Sequence, residues 1–312
     1  MEKKINDLID KALSRRSFLA GVGSASATAL LAGCDHSSSA PPPTPTPTPT
    51  PTITDADILN FALNLEYLEA EFYLYAATGT GLAATDAGTG AGTTIVPTIK
   101  KVSFVTQAIA QYAVEIAQDE LSHVRFLRSA LTAAGAAPVA RPNIDLTFFA
   151  PLATTAGIAN GASFNPFADE NSFLVGAFIF EDVGVTAYTG AATLLSSKTI
   201  LSAAAGIQAV EAYHAAEIRT LIAGAAAQPG ATQAWLTAAN QVSTLRGSLG
   251  GGNETTLSIN SIVAADTTNA IAFSRTTDQV LHIVYGAAGG AGLAKGGFFP
   301  SGLNGTIKKT AA

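Results

Sequence analysis

Asp119-Glu120-Leu121-Ser122-His123 sets a glutamate and a histidine three residues apart, and the same spacing returns at Glu211-Ala212-Tyr213-His214. The 312-residue chain holds only four histidines (His36, His123, His214 and His282) and eleven glutamates. One Glu-x-x-His match would be weak; two in so sparse a background are a signal. On a helix, positions i and i+3 share a face, so each pair aims a carboxylate and an imidazole at one point.

The neighbours place both pairs on apolar stripes. Ile109, Tyr112, Ala113, Ile116, Val124, Leu127 and Leu131 fall at helical spacing with Glu120 and His123, and Ile207, Val210, Ile218, Leu221 and Ile222 surround Glu211. An ionised carboxylate in such a core costs several kcal/mol unless it is paired or bound to a metal. A shared metal site is the natural compensation for two such pairs.

A four-helix site needs two further carboxylates from two other helices. Glu66 shares a face with Ile58, Phe61, Ala62, Leu65, Glu69, Phe72 and Tyr73, and Glu181 shares one with Phe173, Ala177, Phe180, Gly184 and Tyr188. Each of these glutamates has a tyrosine seven residues on. The chain therefore reads as two halves of like chemistry: Glu66…Tyr73 then Glu120-x-x-His123, and Glu181…Tyr188 then Glu211-x-x-His214.

That order resembles the ferritin-like superfamily of di-iron and di-manganese carboxylate proteins. Within it, the Leu65–Tyr73 run (Leu-Glu-Tyr-Leu-Glu-Ala-Glu-Phe-Tyr) and the Gly-Gly-Phe-Phe-Pro-Ser-Gly-Leu-Asn-Gly run at 296–305 are similar to the desiccation-related, ferritin-like domain proteins. The resemblance covers about residues 55–305. It implies an all-α fold: a ferritin-like four-helix bundle over 54–228, with a long crossover between the second and third helices. A helical and irregular extension over 229–312 would pack on the bundle. It also implies two transition-metal ions, iron or manganese, with Glu66, Glu120, His123, Glu181, Glu211 and His214 as ligands. The chemistry of such a centre would be redox work on O2 or peroxide. The alternative is a stress- or desiccation-related protein that holds metal or serves a structural role without turnover.

The first 33 residues read as an export signal rather than fold. Lys3, Lys4, Lys11, Arg15 and Arg16 give a positive start, and Ser14-Arg15-Arg16-Ser17-Phe18-Leu19 is similar to a twin-arginine motif. The apolar stretch from Ala20 to Gly33 is short for a membrane span. It ends in Leu31-Ala32-Gly33-Cys34, which resembles a lipobox, and Cys34 is the chain's only cysteine. The expected location is thus the periplasm or cell envelope, with the twin-arginine machinery and a lipid-anchored membrane attachment as partners. Residues 34–53 form a Ser/Pro/Thr-rich linker, and the Pro-Thr alternation from Pro41 to Thr52 suits an extended spacer. Net charge is −6, and no basic stripe follows the signal, so a nucleic-acid partner is not expected. A homo-oligomer is compatible with the composition.

Four long helices are expected at about 54–77, 100–135, 170–195 and 199–227, with shorter ones at 231–246 and 275–288. Glu69 reads as an extra ligand or a partner of the ligands, and Tyr73 and Tyr188 are expected to flank the site, as packing or with a redox or ligand-supporting role. Glu71 and Glu115 point away from the ligand faces and read as solvent-facing or structural, and Glu217 reads as a solvated residue near the site. His282 fits a satisfied core histidine, and His36 needs no role.

Overall fold

The computed structural model describes residues 53–311. The twin-arginine pair Arg15-Arg16, the lipobox Cys34, His36 and the Pro-Thr linker lie outside the described residues.

Helix α1 spans Asp55–Thr78. Thr54 caps it: its hydroxyl accepts from the Asp57 N–H while the Asp57 carboxylate accepts from the Thr54 N–H, which satisfies two otherwise orphaned donors. The second long helix, α3, spans Gln107–Ala133 and begins seven residues later than its apolar periodicity suggests. No Gly or Pro stops it at 100–106. Instead, Val102 is buried and its N–H bonds the Ala76 carbonyl, which holds this stretch extended. The residues that lead into the true start are held from afar, since the Glu170 carboxylate accepts from the N–H groups of Val105 and Thr106. At its other end Gly135 is left-handed (φ 74°), and the N–H groups of Gly135 and Ala136 return to the carbonyls of Thr132 and Leu131.

Between α1 and α3 lie a one-turn helix α2 (Ala84–Ala87) and strand β1 (Thr94–Ile95). β1 pairs in parallel with β2 (Ile144–Asp145), which opens the crossover. The crossover also carries α4 (Phe149–Thr155). Helix α5 (Glu170–Ala192) starts from an Asp169 cap, and α6 (Lys198–Ala226) from a Ser197 cap. α1 packs chiefly on α3 and α5 on α6, and the two pairs close into the bundle. α5 is apolar and long enough to cross a membrane, but it is the bundle's core helix, mostly buried.

Two further helices follow, α7 (Ala234–Leu249) and α8 (Thr277–Tyr285). α7 runs through Gly247 and breaks only at Gly250–Gly252. The irregular tail is anchored with care. Buried Asn64 of α1 accepts from the Asn304 N–H and donates to the Asn304 carbonyl, both at 2.9 Å, across 240 residues. Phe298 enters an aromatic cluster with Phe149 and Phe180, centroids 5.0 and 5.1 Å away, and Phe149 and Phe180 in turn pack on Phe72. Gly297 permits this turn: its φ is +52°, and its Cα lies against the backbone of Val284 and Tyr285, leaving no room for a side chain. The tail thus roofs the same core that crossover residue Phe149 enters from another side. His282 is a core histidine, its Nδ1 2.8 Å from the Ala287 carbonyl.

Candidate metal centre

Four helices deliver one carboxylate each to a single point. Glu66 comes from α1, Glu120 from α3, Glu181 from α5 and Glu211 from α6, and all four are at most 1% exposed. His123 and His214 join them, one turn on from Glu120 and Glu211. The six residues form two tetrads: Glu66, Glu120, His123 and Glu211, and Glu120, Glu181, Glu211 and His214. In each, one ligand atom per residue lies within 4.8 Å of the others. Glu120 and Glu211 belong to both.

The hydrogen-bond ledger shows what these atoms face. Buried polar atoms are nearly always paired in folded proteins. Here eight atoms without a hydrogen-bond partner come from these six residues: both oxygens of Glu120 and of Glu211, one oxygen each of Glu66 and Glu181, and Nδ1 of both histidines. The second oxygen of Glu66 is taken by the Tyr188 hydroxyl, and that of Glu181 by the Tyr73 hydroxyl. Each tyrosine therefore serves the glutamate of the other half. The free donors divide into two single-oxygen carboxylates, two carboxylates with both oxygens available to bridge, and two imidazole nitrogens. That set fits a pair of cations of the iron or manganese type.

Electrostatics tell the same story. Burial works against charge on Glu120, yet its two histidine partners hold its carboxyl down at about 2. Burial also opposes the charged form of His123, but Glu66 and Glu120 push it up to about 11; His214 is raised for the same reason by Glu120 and Glu181. Glu66 is raised to about 7, and Glu211 well above the carboxylate range, by burial among other carboxylates. Without metal, protons must thus neutralise the cluster. His123 Nδ1 sits 3.2–3.5 Å from carboxylates of Glu66, Glu120 and Glu211, and His214 Nδ1 sits 3.1 and 3.6 Å from Glu120 and Glu181. Gly184 makes room for the cluster, since any Cβ there would overlap Glu211 Oε2.

Glu69 is buried, and its carboxyl is pushed well above its usual range by burial and by Glu120, Glu66 and Glu181. It lines a cavity of about 20 Å³ with Leu65, Phe180, Gly184, Val284 and Phe298. Tyr73 and Tyr188 stay protonated, raised well above their ordinary value by burial and by the glutamates beside them. Glu115 is exposed, and Glu217 is half-buried with a carboxyl raised by burial and by Glu115. Glu71 is a structural residue in the interior, paired with Arg141.

Reading residue types missed Asp119. Its Oδ2 lies 3.2 Å from His214 Nε2, so the imidazole presents Nδ1 to the cluster and its other nitrogen to a carboxylate. His123 has no such partner among the described residues. The signal was available, since Asp119 immediately precedes Glu120, but one residue is a 100° turn and its target lies on another helix. Asp119→Asn should weaken metal binding about 10- to 100-fold by releasing His214, which metal competition against a chelator would read. An unchanged affinity would leave Asp119 as a surface charge.

Comparison with known proteins agrees with the geometry. The chain is 32% identical over 248 residues to desiccation-related protein PCC13-62 of Craterostigma plantagineum, covering 72% of this chain and 75% of that one. It is 29% identical over 276 residues to ferritin-like catalase Nec2 of Nesocodon mauritianus, covering 81% and 84%. The ferritin-like domain family matches residues 54–224, a span that takes in all six clustered residues. With its four-helix frame and its doubled Glu-x-x-His, the chain belongs to the ferritin-like domain family.

Proposed function

We propose that the buried cluster binds two iron or manganese ions and that the protein uses them to turn over peroxide or O2. The observation that carries this reading is the convergence of eight unpartnered donor atoms from four helices on one buried locus. Two imidazole nitrogens cannot satisfy six carboxylate oxygens, and two shared cations would. Bound there, the ions would supply adjacent one-electron redox centres. The protein's own part is to orient Glu66 and Glu181 through the tyrosine hydroxyls, to hold His214 through Asp119, and to keep Glu69 buried beside the cluster. The catalase name of one relative favours peroxide as substrate. The desiccation-related relative favours the second reading, a bundle that holds metal without turnover.

The test reconstitutes the purified protein with Fe(II) or Mn(II) and follows peroxide and O2. Many turnovers per loaded chain support an enzyme. Loading without turnover supports the holding role, and failure to load overturns both.

We also propose export and tethering through Cys34, on the strength of Arg15-Arg16 and Leu31-Ala32-Gly33-Cys34. Cys34→Ala should move the protein from the membrane to the soluble envelope fraction; equal membrane association of both forms would refute the anchor.

A further inference from the structure

A second site lies where the C-terminal extension meets α5 and α6. Asp182, next to Glu181, accepts from Arg219 and Arg246 at 2.7 Å each, and Glu254 accepts from Arg246 and Arg275. All three arginines are 2% exposed. Three guanidinium groups therefore share two carboxylates, and a buried network carries one positive charge in excess. Beside it runs a groove of about 180 Å³, walled by Arg219, Arg275, Val185, Ala216, Ile262 and Phe273.

The arginines at the groove have donors to spare. Each guanidinium has five N–H groups. Arg219 commits one each to the Ile262 carbonyl, Asp182 and Thr255. Arg275 bonds Thr186 through Nη1, and Glu254 and the Gly252 and Asn253 carbonyls through Nη2, while its buried Nε has no partner. Burial, with Arg246 adding to it, pulls the Arg275 guanidinium below its ordinary value despite Glu254. A buried charge short of counter-charge is costly, and an anion in the groove would relieve it.

We propose that this groove binds a small monocarboxylate with an apolar body, its carboxylate on Arg219 and Arg275 and its body on the alanine, valine and phenylalanine wall. One negative charge balances the network; beside Asp182 and Glu254, which are already paired with the arginines, and Thr186 and Asn253, the walls are apolar, so a single carboxylate on a hydrocarbon frame suits the groove better than a bare or multiply charged ion. The site is separate from the metal centre but close along the chain: the groove is also lined by Asp182, Ala212 and Ala215, each one residue on from Glu181, Glu211 and His214. Its occupant would thus touch the two helices that supply three of the six metal-site residues.

The experiment is calorimetric titration of the full chain with hexanoate, alongside hexanol and chloride. Hexanoate is expected to bind, with hexanol weaker by about tenfold or more because the charge-assisted hydrogen bonds are lost. Chloride is expected to bind weakly, because it leaves the apolar wall uncovered. Ala216→Phe, an exposed position on the wall, should abolish hexanoate binding with the melting temperature unchanged, whereas Arg219→Gln tests the charge directly. The proposal is overturned if hexanoate gives no heat, if hexanol or chloride matches it, or if Ala216→Phe binds as the parent does.

Discussion

Elemental analysis of a Glu120→Gln/His123→Gln variant is expected to show the metal content fall from about two ions per chain to none, because Glu120 belongs to both tetrads. Replacing both residues matters. Removing one of the two would leave an uncompensated charge, whereas removing both takes away one negative and one positive group and still leaves His214 beside Glu181 and Asp119. The metal-free variant should therefore melt close to the metal-free parent, which separates loss of binding from loss of fold. Uptake should also weaken in acid. His123 carries its proton up to about 11 in the metal-free cluster, so metal must expel it, and a lower pH favours the proton. Two ions retained by the variant would remove the cluster from consideration as the metal site.

Asp182→Ala should lower the melting temperature by roughly 10 °C. Its Oδ2 alone bridges the guanidinium groups of Arg219 and Arg246, both of which also lie over the Phe178 ring at 5.3 and 4.6 Å. Without it, Glu254 would face three buried arginines. Breaking a buried ion pair costs about 3–5 kcal/mol, and each kcal/mol moves the melting point of a chain this size by about 2–4 °C. The loss should fall on the docking of α7 and of the segment after it, because Asp182 holds Arg246 of α7 and Arg219 of α6, and these two arginines in turn hold Glu254 and Thr255. Calorimetry of parent and variant checks it; a shift below about 2 °C would mean that solvent replaces the carboxylate.

Most of the fold and the six clustered residues were legible from spacing. A glutamate on an apolar stripe is a local fact, visible in Ile116, Glu120, His123 and Leu127 without any knowledge of the partner helix. The caps at Thr54, Asp169 and Ser197 are equally local, since each side chain bonds a backbone group three residues on. The start of α3 was not legible, because the carboxylate that ends its extended lead-in belongs to Glu170, more than sixty residues away. Nor was the interior place of Glu71, whose guanidinium partner lies in the crossover.

The sequence by itself determined which helix faces carry carboxylates and imidazoles, because helical periodicity sets that within a few residues. Only the tertiary structure decided their partners. Tyr73 serves Glu181, Tyr188 serves Glu66 and Asp119 serves His214, across 108, 122 and 95 residues. The pairing of three arginines with Asp182 and Glu254 was settled in the same way. Such choices depend on how each helix is rotated and crossed against its neighbours, and a rotation of one residue would hand the same side chain to a different helix.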